Sequence, residues 1–188
     1  SQPCFSTDVG PGNTMMDVFV QKHFGIPYDK NGELASQGIV KSELLNELLD
    51  HDFFSQSLPK TIGPELFNMH YLENRINYIK QNISAVDNQL SAVAIANTIK
   101  SNIKNWKESV IYLSGGGMYN GTLVNNIKHQ LDGISVKTTH NLNIDPDAKE
   151  AVLFAILANE CVAGDGLHLE NRTEGMPDVS MGKVSFPR

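Results

Sequence analysis

Seven residues near the start of the chain are the best suited to chemistry: Thr7-Asp8-Val9-Gly10-Pro11-Gly12-Asn13. Apolar residues flank them, so the sequence predicts the end of a strand over residues 5–7 and a helix over residues 13–24 that Asn13 caps. A turn between these elements leaves backbone N–H groups facing outward beside the Asp8 carboxylate, which suits phosphate chemistry. Because the turn comes so early, we expect part of the site to lie upstream of it.

Asp8 has two interpretations that these residues alone leave open. Aspartate is common as a capping or turn residue, and a tight turn can also hold a carboxylate as a general base. Gly10, Pro11 and Gly12 shift the balance somewhat toward the base. Two glycines around a proline give a backbone that is both rigid and closely approachable.

A second candidate is the glycine triplet Gly115, Gly116 and Gly117, which follows Ser114 and the apolar run 110–113. The apolar run predicts a buried strand, so the triplet would form a strand-to-helix turn. Glycine inside regular structure costs roughly 0.5–1 kcal/mol relative to alanine, and close approach of a ligand would justify that cost. We therefore favour a nucleotide or sugar contact over a merely flexible turn. The triplet is neither a Walker P-loop nor a complete dinucleotide fingerprint.

Two further charged side chains have a structural and a functional interpretation. Glu150 lies near the start of a predicted helix over residues 147–161, where a carboxylate stabilises the helix N-terminus; this is its default interpretation. Lys60 lies between Pro59 and Thr61 and could contact an anion, although an exposed lysine is the expectation we adopt.

Apolar spacing and turn residues predict the elements that position these groups. We expect a polar loop over residues 28–37, a long helix from an N-cap at Ser84 to near Asn105, and a terminal strand over 183–186 after an irregular tail from Gly164. The helix over 147–161 is apolar almost all round, which predicts burial. The remaining predicted elements are a helix through Leu44 and Leu48, a helix from Pro64 carrying Leu66, Met69, Leu72, Ile76 and Ile79, a helix through Leu123 and Ile127, and a strand over 134–138. Strands and helices in this order predict an α/β layer with parallel strands.

The composition excludes several classes of protein. The chain has 188 residues, 40% of them apolar, and a net charge of −6, which argues against binding nucleic acid or an anionic membrane. Cys4 and Cys161 could form one disulfide, but we favour free buried thiols in a reducing compartment, and no Cys/His cluster has zinc spacing. The sequence shows no signal peptide and no apolar run long enough to span a bilayer.

Four blocks of the sequence resemble, in order, the anhydro-N-acetylmuramic acid kinases, a family of bacterial cell-wall-recycling enzymes. The blocks are the turn at 7–13, the loop at 59–68, the glycine turn at 114–120 and the segment 138–155. Two positions depart from the common family pattern. Val9 stands where threonine is frequent, and Thr139-His140-Asn141 stands where an acidic pair often follows. Neither position removes a catalytic group, and both would affect how exactly the substrate is positioned.

The resemblance implies a fold. The family belongs to the superfamily of sugar kinases, actin and heat-shock ATPases, whose members have two ribonuclease-H-like lobes around a cleft. Residues 1–188 would be the C-terminal lobe, lacking the N-terminal lobe and the first strands of its own sheet. The expected fold class is therefore α/β, a partial ribonuclease-H-like (actin-like ATPase) lobe that is rich in helices and has a short, mostly parallel sheet.

The resemblance also implies a reaction. ATP phosphorylates O6 of 1,6-anhydro-N-acetylmuramic acid while water opens the anhydro ring at C1, giving N-acetylmuramic acid 6-phosphate and ADP. Asp8 would be the base for that water, and Mg²⁺ with backbone N–H groups would stabilise the phosphoryl charge. No metal ligand is assigned. The implied contacts are, for the sugar, Gly10, Pro11, Gly12, Asn13 and Glu150, and, for ATP, Gly115, Gly116, Gly117 and Asn120.

We expect the partners to be a small-molecule amino sugar and ATP, with no nucleic acid and no membrane, in a cytoplasmic homodimer. Two other functions stay open: a non-catalytic dimerisation or binding module derived from this fold, and a kinase for another sugar. The presence of Asp8 and the glycines argues against the module, since assembly needs none of them. We expect the chain alone to be inactive, because half of the phosphate site is missing.

Overall fold

The computed structural model describes residues 6–63, 65–73 and 83–163. Short 3₁₀ turns connect several of its helices and strands. The predicted helix start at Pro64, the helical positions Ile76 and Ile79, the tail from Gly164 and the terminal strand lie outside the described residues. The elements are α1 (Thr14–Phe24), α2 (Glu33–Gln37), α3 (Ser42–Leu49), α4 (Asp52–Ser55), α5 (Met69–Glu73), α6 (Ile83–Asn102), β1 (Val110–Leu113), α7 (Gly121–Gln130), β2 (Ser135–Thr138) and α8 (Lys149–Ala163).

The first apolar core gathers side chains from α1 and from the segment between α3 and α6. In α1, Met15 lies one turn before Phe19, and both are buried, as the fourfold spacing predicts. Gly25 ends this helix in the left-handed region, at φ 70°, which glycine adopts without strain. The buried members of this core are Met15, Phe19, Val20, Leu44, Leu48, Phe53, Phe67, Tyr71, Leu72, Ile83, Val86 and Leu90.

The long helix α6 packs against α1, α2, α3 and α7. Of its predicted inner face, Val86, Leu90, Ala94 and Ala96 are buried, whereas Val93 and Ile99 are half-buried. Polar side chains are buried on the same helix, among them Asp87, Asn88 and Ser91. This helix therefore joins the apolar core to a buried polar layer.

Two side-chain amide bonds tie α6 to α7. Asn88 Nδ2 donates to Asn120 Oδ1 at 3.2 Å, and Asn126 Nδ2 donates to Asn88 Oδ1 at 2.9 Å. Each amide here finds a partner, so its burial carries no desolvation penalty for an unpaired group. The contact fixes α7 directly after the glycine turn.

The strands β1 and β2 pair in parallel, which confirms the predicted strand direction. Val110 pairs with Ser135 and Leu113 with Thr138. Helix α7 connects the strands, and its Leu123 and Ile127, with Leu131 directly after it, form a second core with Ala92 and Ala96 of α6. Within the described residues the expected α/β class is thus a helix-rich arrangement with a two-stranded parallel sheet.

The structure corrects the prediction of a loop over residues 28–37. This segment contains a 3₁₀ turn over Lys30–Gly32 and the short helix α2. The Asp29 carboxylate accepts the backbone N–H groups of Leu34 and Ala35, each at 2.9 Å. These bonds satisfy donors that the first turn of a helix leaves unpaired, which is why the segment can be helical despite its polarity.

Two capping predictions and one strand are also corrected. Ser84 lies inside α6, where its hydroxyl bonds Asp29 Oδ2 at 3.4 Å instead of capping the helix. Asn13 precedes α1 but forms no side-chain capping bond. Residues 6 and 7 form no strand, although the backbone N–H of Lys60 donates to Thr7 Oγ1 at 2.9 Å.

Helix α8 departs most from prediction. Its composition predicts burial all round, but none of its residues is buried, and Phe154 is 66% exposed. Val110 and Tyr112 of β1, the strand predicted to be buried, are exposed as well. Both segments are apolar in composition, yet no described residue covers α8 or the outward-facing side chains of β1, while Ile111 packs against the second core. None of the helices in the described ranges is long and apolar enough to cross a membrane.

Candidate functional site

The opening turn rests on the middle of α6. A Cβ added to Gly10 would lie 3.1 Å from the Ala94 Cβ, so the backbone approaches the helix closely there. Gly12 has φ +60°, and its carbonyl accepts the Ser91 hydroxyl at 2.9 Å. Both glycines are therefore explained by backbone geometry and packing, whatever else they bind.

Asp8 projects from this turn with one carboxylate oxygen held. Its Oδ2 accepts the backbone N–H of Ile62 at 2.8 Å, and its own N–H donates to the Lys60 carbonyl at 2.9 Å. The side chain is exposed, and Oδ1 accepts no hydrogen bond from a described residue. A carboxylate that is oriented by one oxygen and open at the other can take a proton from water.

The structure corrects the expectation of an exposed Lys60, because this side chain is buried. Its Nζ donates to the Phe53 carbonyl at 2.5 Å and lies 4.2 Å from the centroid of the Phe53 ring. Burial lowers the pKa of the Lys60 ammonium below its usual range. Lys60 thus anchors the segment that holds Asp8, and its ammonium is already engaged.

The glycine triplet forms the turn from β1 into a 3₁₀ segment over Gly116–Tyr119. Gly115 has φ +79°, and its N–H donates to the Pro146 carbonyl at 3.3 Å. The Tyr119 hydroxyl donates to Asp147 Oδ2 at 2.7 Å, and this bond raises the pKa of Tyr119. The turn is therefore tied by two bonds to the loop that precedes α8.

The opening turn and the glycine triplet meet at Asn13. A Cβ on Gly117 would lie 3.5 Å from Asn13 Nδ2, so the two motifs lie side by side with room for little more than a methyl group between them. Both motifs border a surface cavity of about 520 Å³. Its lining residues are Asn13, Asp17, Pro27, Tyr28, Asp29, Lys30, Asn31, Gly116, Tyr119 and Asn120.

The two asparagines at this cavity differ in how their amides are used. Asn120 Oδ1 caps α7 by accepting the Leu123 N–H at 3.0 Å, and its Nδ2 donates to Met16 Sδ at 3.6 Å. Asn13 Oδ1 is buried and has no hydrogen-bond partner among the described residues. An oxygen of this kind is available to a donor from a ligand.

Three carboxylates lie at or behind this cavity, and the sequence did not single them out. Burial raises the pKa of Asp17, and nearby Asp29 adds to the increase. Burial also raises the pKa of Asp87 well above its usual range, with a smaller contribution from Asp17. Asp87 is 1% exposed, and neither of its oxygens has a partner among the described residues. The one signal that the sequence offers is Asp17, a carboxylate in the first turn of α1 four residues after Asn13.

Glu150 lies apart from these motifs. It is exposed in the first turn of α8, and it does not line the cavity. Of the predicted site residues, the structure thus brings Asn13, the glycine triplet and Asn120 together. Asp8 lies at the other end of the opening turn.

Within the described ranges, no group of three or more His, Cys, Asp or Glu side chains is arranged to hold a metal ion. Magnesium in phosphoryl-transfer sites usually keeps several waters and binds one or two carboxylates and the substrate phosphates. The described residues do not form a metal cage of their own, so no role of theirs is derived through a metal.

The family model for anhydro-N-acetylmuramic acid kinase matches residues 1–186. A relative of that name from Pseudoalteromonas translucida (strain TAC 125) is 45% identical over 194 residues, covering 99% of this chain and 48% of its own length. A second, from Caldanaerobacter subterraneus subsp. tengcongensis, is 38% identical over 188 residues, and the match covers 95% of this chain and 48% of the relative. A third, from Bacillus cereus (strain ATCC 10987 / NRS 248), is 33% identical over 193 residues, and the match covers 99% of this chain and 50% of the relative.

All three relatives are named as kinases, so the chain groups with proteins of the phosphotransferase class. Within that class, the chain belongs to the anhydro-N-acetylmuramic acid kinase family, because the family model matches nearly its whole length. This confirms the resemblance drawn from the four sequence blocks. The chain spans about half the length of the curated relatives it matches.

Proposed function

We propose that the chain is the C-terminal portion of an ATP-dependent kinase that opens and phosphorylates 1,6-anhydro-N-acetylmuramic acid in cell-wall recycling. The observation that carries this proposal is the family match over residues 1–186 together with the geometry of Asp8. Asp8 is held by the Ile62 N–H and open on its other oxygen, as a general base requires.

In the proposed reaction, water attacks C1 of the anhydro sugar and loses a proton to Asp8. The C1–O6 bond breaks, and O6 forms a bond to the γ-phosphorus of ATP as ADP leaves. One water and one ATP are consumed, and the products are N-acetylmuramic acid 6-phosphate and ADP. The contribution of Asp8 is proton removal from a water placed at its open oxygen.

The ATP side of the proposal rests on the glycine turn. Gly116 has no atom within 4 Å of an added Cβ, so its backbone is open to a ligand, and a Cβ added to its neighbour Gly117 would lie 3.5 Å from Asn13 Nδ2. We place ATP against Gly115, Gly116, Gly117 and Asn120, and the sugar near Gly10, Pro11, Gly12, Asn13 and Glu150. Mg²⁺ would arrive bound to the phosphates and neutralise their charge.

The exposed apolar surfaces support an actin-like two-lobe organisation. A parallel sheet is normally covered on both faces, and a helix that is apolar all round is normally buried. Neither condition holds for the described part of β1, β2 and α8. We propose that the N-terminal lobe and further strands of the sheet cover them, that the protein is a cytoplasmic homodimer, and that the chain alone is inactive.

A coupled ADP-release assay tests the proposal. The whole protein that contains this chain is mixed with ATP and 1,6-anhydro-N-acetylmuramic acid, and ADP release should depend on the sugar. Asp8→Asn should lower kcat by about 10²- to 10⁴-fold, which is the usual contribution of a general base. Asp132→Asn removes an exposed carboxylate away from the site and should keep full turnover.

Absence of sugar-dependent ADP release would contradict the proposed function. Full turnover by Asp8→Asn would instead show that Asp8 is not the general base, and the proposed kinase activity would still stand. Sustained turnover by the 188-residue chain alone would overturn the proposal that half of the site lies elsewhere.

The exposed α8 also favours a second candidate, a module that serves only assembly. Such a module would bind neither ATP nor the sugar, and its association would depend on the apolar residues of α8, such as Phe154.

Substrate profiling with other anhydro sugars in the same ADP assay separates the remaining alternative, a kinase for another sugar.

A further inference from the structure

Lys60 is a buried cation for which the described residues provide no carboxylate. Its ammonium donates to the Phe53 carbonyl and lies over the Phe53 ring. A surface cavity of about 220 Å³ borders the side chain, and the described residues that line it include no Asp or Glu. Burying an ammonium without an opposite charge costs free energy, and an apolar side chain of similar length would fill the space without that cost. Stability alone therefore does not explain a lysine at this position.

The backbone around Lys60 is joined to the start of the opening turn by four hydrogen bonds, which we call the Asp8 clamp. The Lys60 N–H donates to Thr7 Oγ1 at 2.9 Å. The Thr7 hydroxyl donates to the Lys60 carbonyl at 3.1 Å, with the Asp8 carbonyl as an alternative acceptor at 3.2 Å. The Lys60 carbonyl also accepts the Asp8 N–H, and Asp8 Oδ2 accepts the Ile62 N–H. The position of the Lys60 backbone therefore decides where the Asp8 carboxylate lies.

Both sides of the Asp8 clamp rest on one pair of aromatic side chains. On one side, Lys60 bonds Phe53, whose buried ring lies 5.4 Å from the Phe67 ring, centroid to centroid. On the other side, a Cβ added to Gly10 would lie 3.8 Å from Phe54 Cε1. The Phe53 and Phe54 rings meet edge to face at 5.5 Å. Because a packed core yields little, this pair can hold the two segments at a fixed separation.

We propose that Lys60 and Thr7 are positioning residues for the Asp8 carboxylate. The Lys60 ammonium fixes the segment 60–62 to the apolar core, and the Thr7 hydroxyl joins that segment to the opening turn. The Ile62 N–H then holds Oδ2 of Asp8 while Oδ1 stays open. The inference rests on the proposed function for the reaction that Asp8 serves. Both side chains act on the carboxylate and not on the substrates, so they should affect kcat and leave KM unchanged.

Lys60→Met tests this role in the whole protein with the ADP-release assay. Methionine fills the space without a charge, and the Phe53 carbonyl keeps the Gln56 N–H as a donor at 3.4 Å, so the variant should melt at or above the wild-type temperature. Its kcat should fall by about 10- to 100-fold, with each KM within about twofold of wild type, because small misplacements of a catalytic group are costly. Lys104→Met, at an exposed lysine outside the clamp, should change none of these values.

Two variants of Thr7 separate hydrogen bonding from packing. Thr7→Val removes the hydroxyl and keeps the branched shape, and it should lower kcat by about three- to tenfold, the loss typical of one hydrogen bond. Thr7→Ser keeps the hydroxyl and loses only a methyl group, so its kcat should stay within about twofold of wild type. A role in packing alone predicts the reverse order of the two variants.

Hydrogen exchange of the Ile62 amide reports on the Asp8 clamp without any turnover. This N–H donates to Asp8, so it exchanges only when the clamp opens. Exchange measured by mass spectrometry on the whole protein should be faster in Lys60→Met and Thr7→Val, by on the order of tenfold. Lys104→Met and Thr7→Ser should exchange as the wild type does.

Wild-type kcat in Lys60→Met, or equal kcat in Thr7→Val and Thr7→Ser, would overturn the inference. A loss of kcat in Lys60→Met that comes with a lower melting temperature would also overturn it, by showing a structural role. A rise in KM for the sugar as large as the fall in kcat would overturn it as well, because it would make these residues part of a binding site.

The inference and the proposed function fail in different ways. Absence of sugar-dependent turnover in the wild-type protein would contradict the proposed function, and the exchange of the Ile62 amide would then decide the inference. Faster exchange in Lys60→Met and Thr7→Val would support the Asp8 clamp, and unchanged exchange would overturn it. Normal turnover by the wild type with unaffected variants would overturn the inference and leave the proposed function standing.

Discussion

Helices α1 to α6 bury a shared set of apolar side chains, whereas α8 and alternate residues of β1 leave theirs open to solvent. Leu48 and Leu90 in the first region are fully buried, yet Phe154 in the second is 66% exposed, although all three are large apolar residues. The difference shows that an apolar composition predicts that a segment will be buried but does not specify which residues bury it. Among the described residues, the helical region thus supplies its own core, whereas α8 and the outer side of β1 have no covering residues.

The largest expected effect contrasts one buried and one exposed apolar residue. Leu90→Ala should lower the free energy of unfolding by about 2–5 kcal/mol, because it leaves a cavity in the first core. Phe154→Ala should change it by less than about 0.5 kcal/mol in this chain, because little of its surface is buried. Urea denaturation measures both. Equal losses of unfolding free energy for the two variants of this chain would show that Phe154 is buried after all. A large loss for Phe154→Ala in the whole protein, but not in this chain, would show that another part of the protein buries α8.

A second, smaller effect compares two glycines: Gly32, next to the cavity residue Asn31, and Gly116, which lines the cavity. Gly32 has φ +74°, and an added Cβ would lie 2.2 Å from Asn120 Oδ1, so Gly32→Ala should destabilise the chain by on the order of 2 kcal/mol. Gly116→Ala meets no atom within 4 Å and should leave stability unchanged. Thermal unfolding of the pair measures this. A destabilised Gly116→Ala would mean that the glycine turn packs more closely than described.

The smallest expected effect concerns pH. Burial raises the pKa of Asp87 above the ordinary value of 3.8, so the folded chain keeps a proton that the unfolded chain releases. Stability from this group is complete below that value and is lost as the pH rises toward the folded-state pKa. Asp87→Asn should therefore reduce the fall in melting temperature between about pH 4 and about pH 8. Part of the fall in melting temperature should remain in this variant, because the pKa of Asp17 is also raised. An unchanged slope would show that Asp87 is not buried as a neutral acid.

Sequence patterns predicted the parts of the fold that local spacing controls. The helix at Thr14–Phe24, the strand at Val110–Leu113 and its parallel partner follow from apolar spacing and from turn residues such as Gly25. The position of Asp8 at an exposed turn was predicted in the same way, and its catalytic role stays a prediction.

Sequence patterns could not predict what depends on distant contacts. Ser84 resembles a helix cap in sequence, but Asp29, which lies 55 residues earlier, engages its hydroxyl inside α6. Asp87 is one of several polar residues along α6 in the sequence, and only the fold brings it close to Asp17. Whether α8 is covered depends on contacts outside the helix, which no local pattern within it can specify.

The amide bonds between α6 and α7 have a consequence for the glycine turn. Asn120 ends that turn and Asn126 lies on the following helix, and both bond Asn88. A shift of α7 by one residue would rotate its side chains by about 100° and leave buried amides unpaired. These bonds therefore set the register of α7, so that a one-residue insertion or deletion between Asn120 and Asn126 should be tolerated far less than a substitution on the exposed side of the helix.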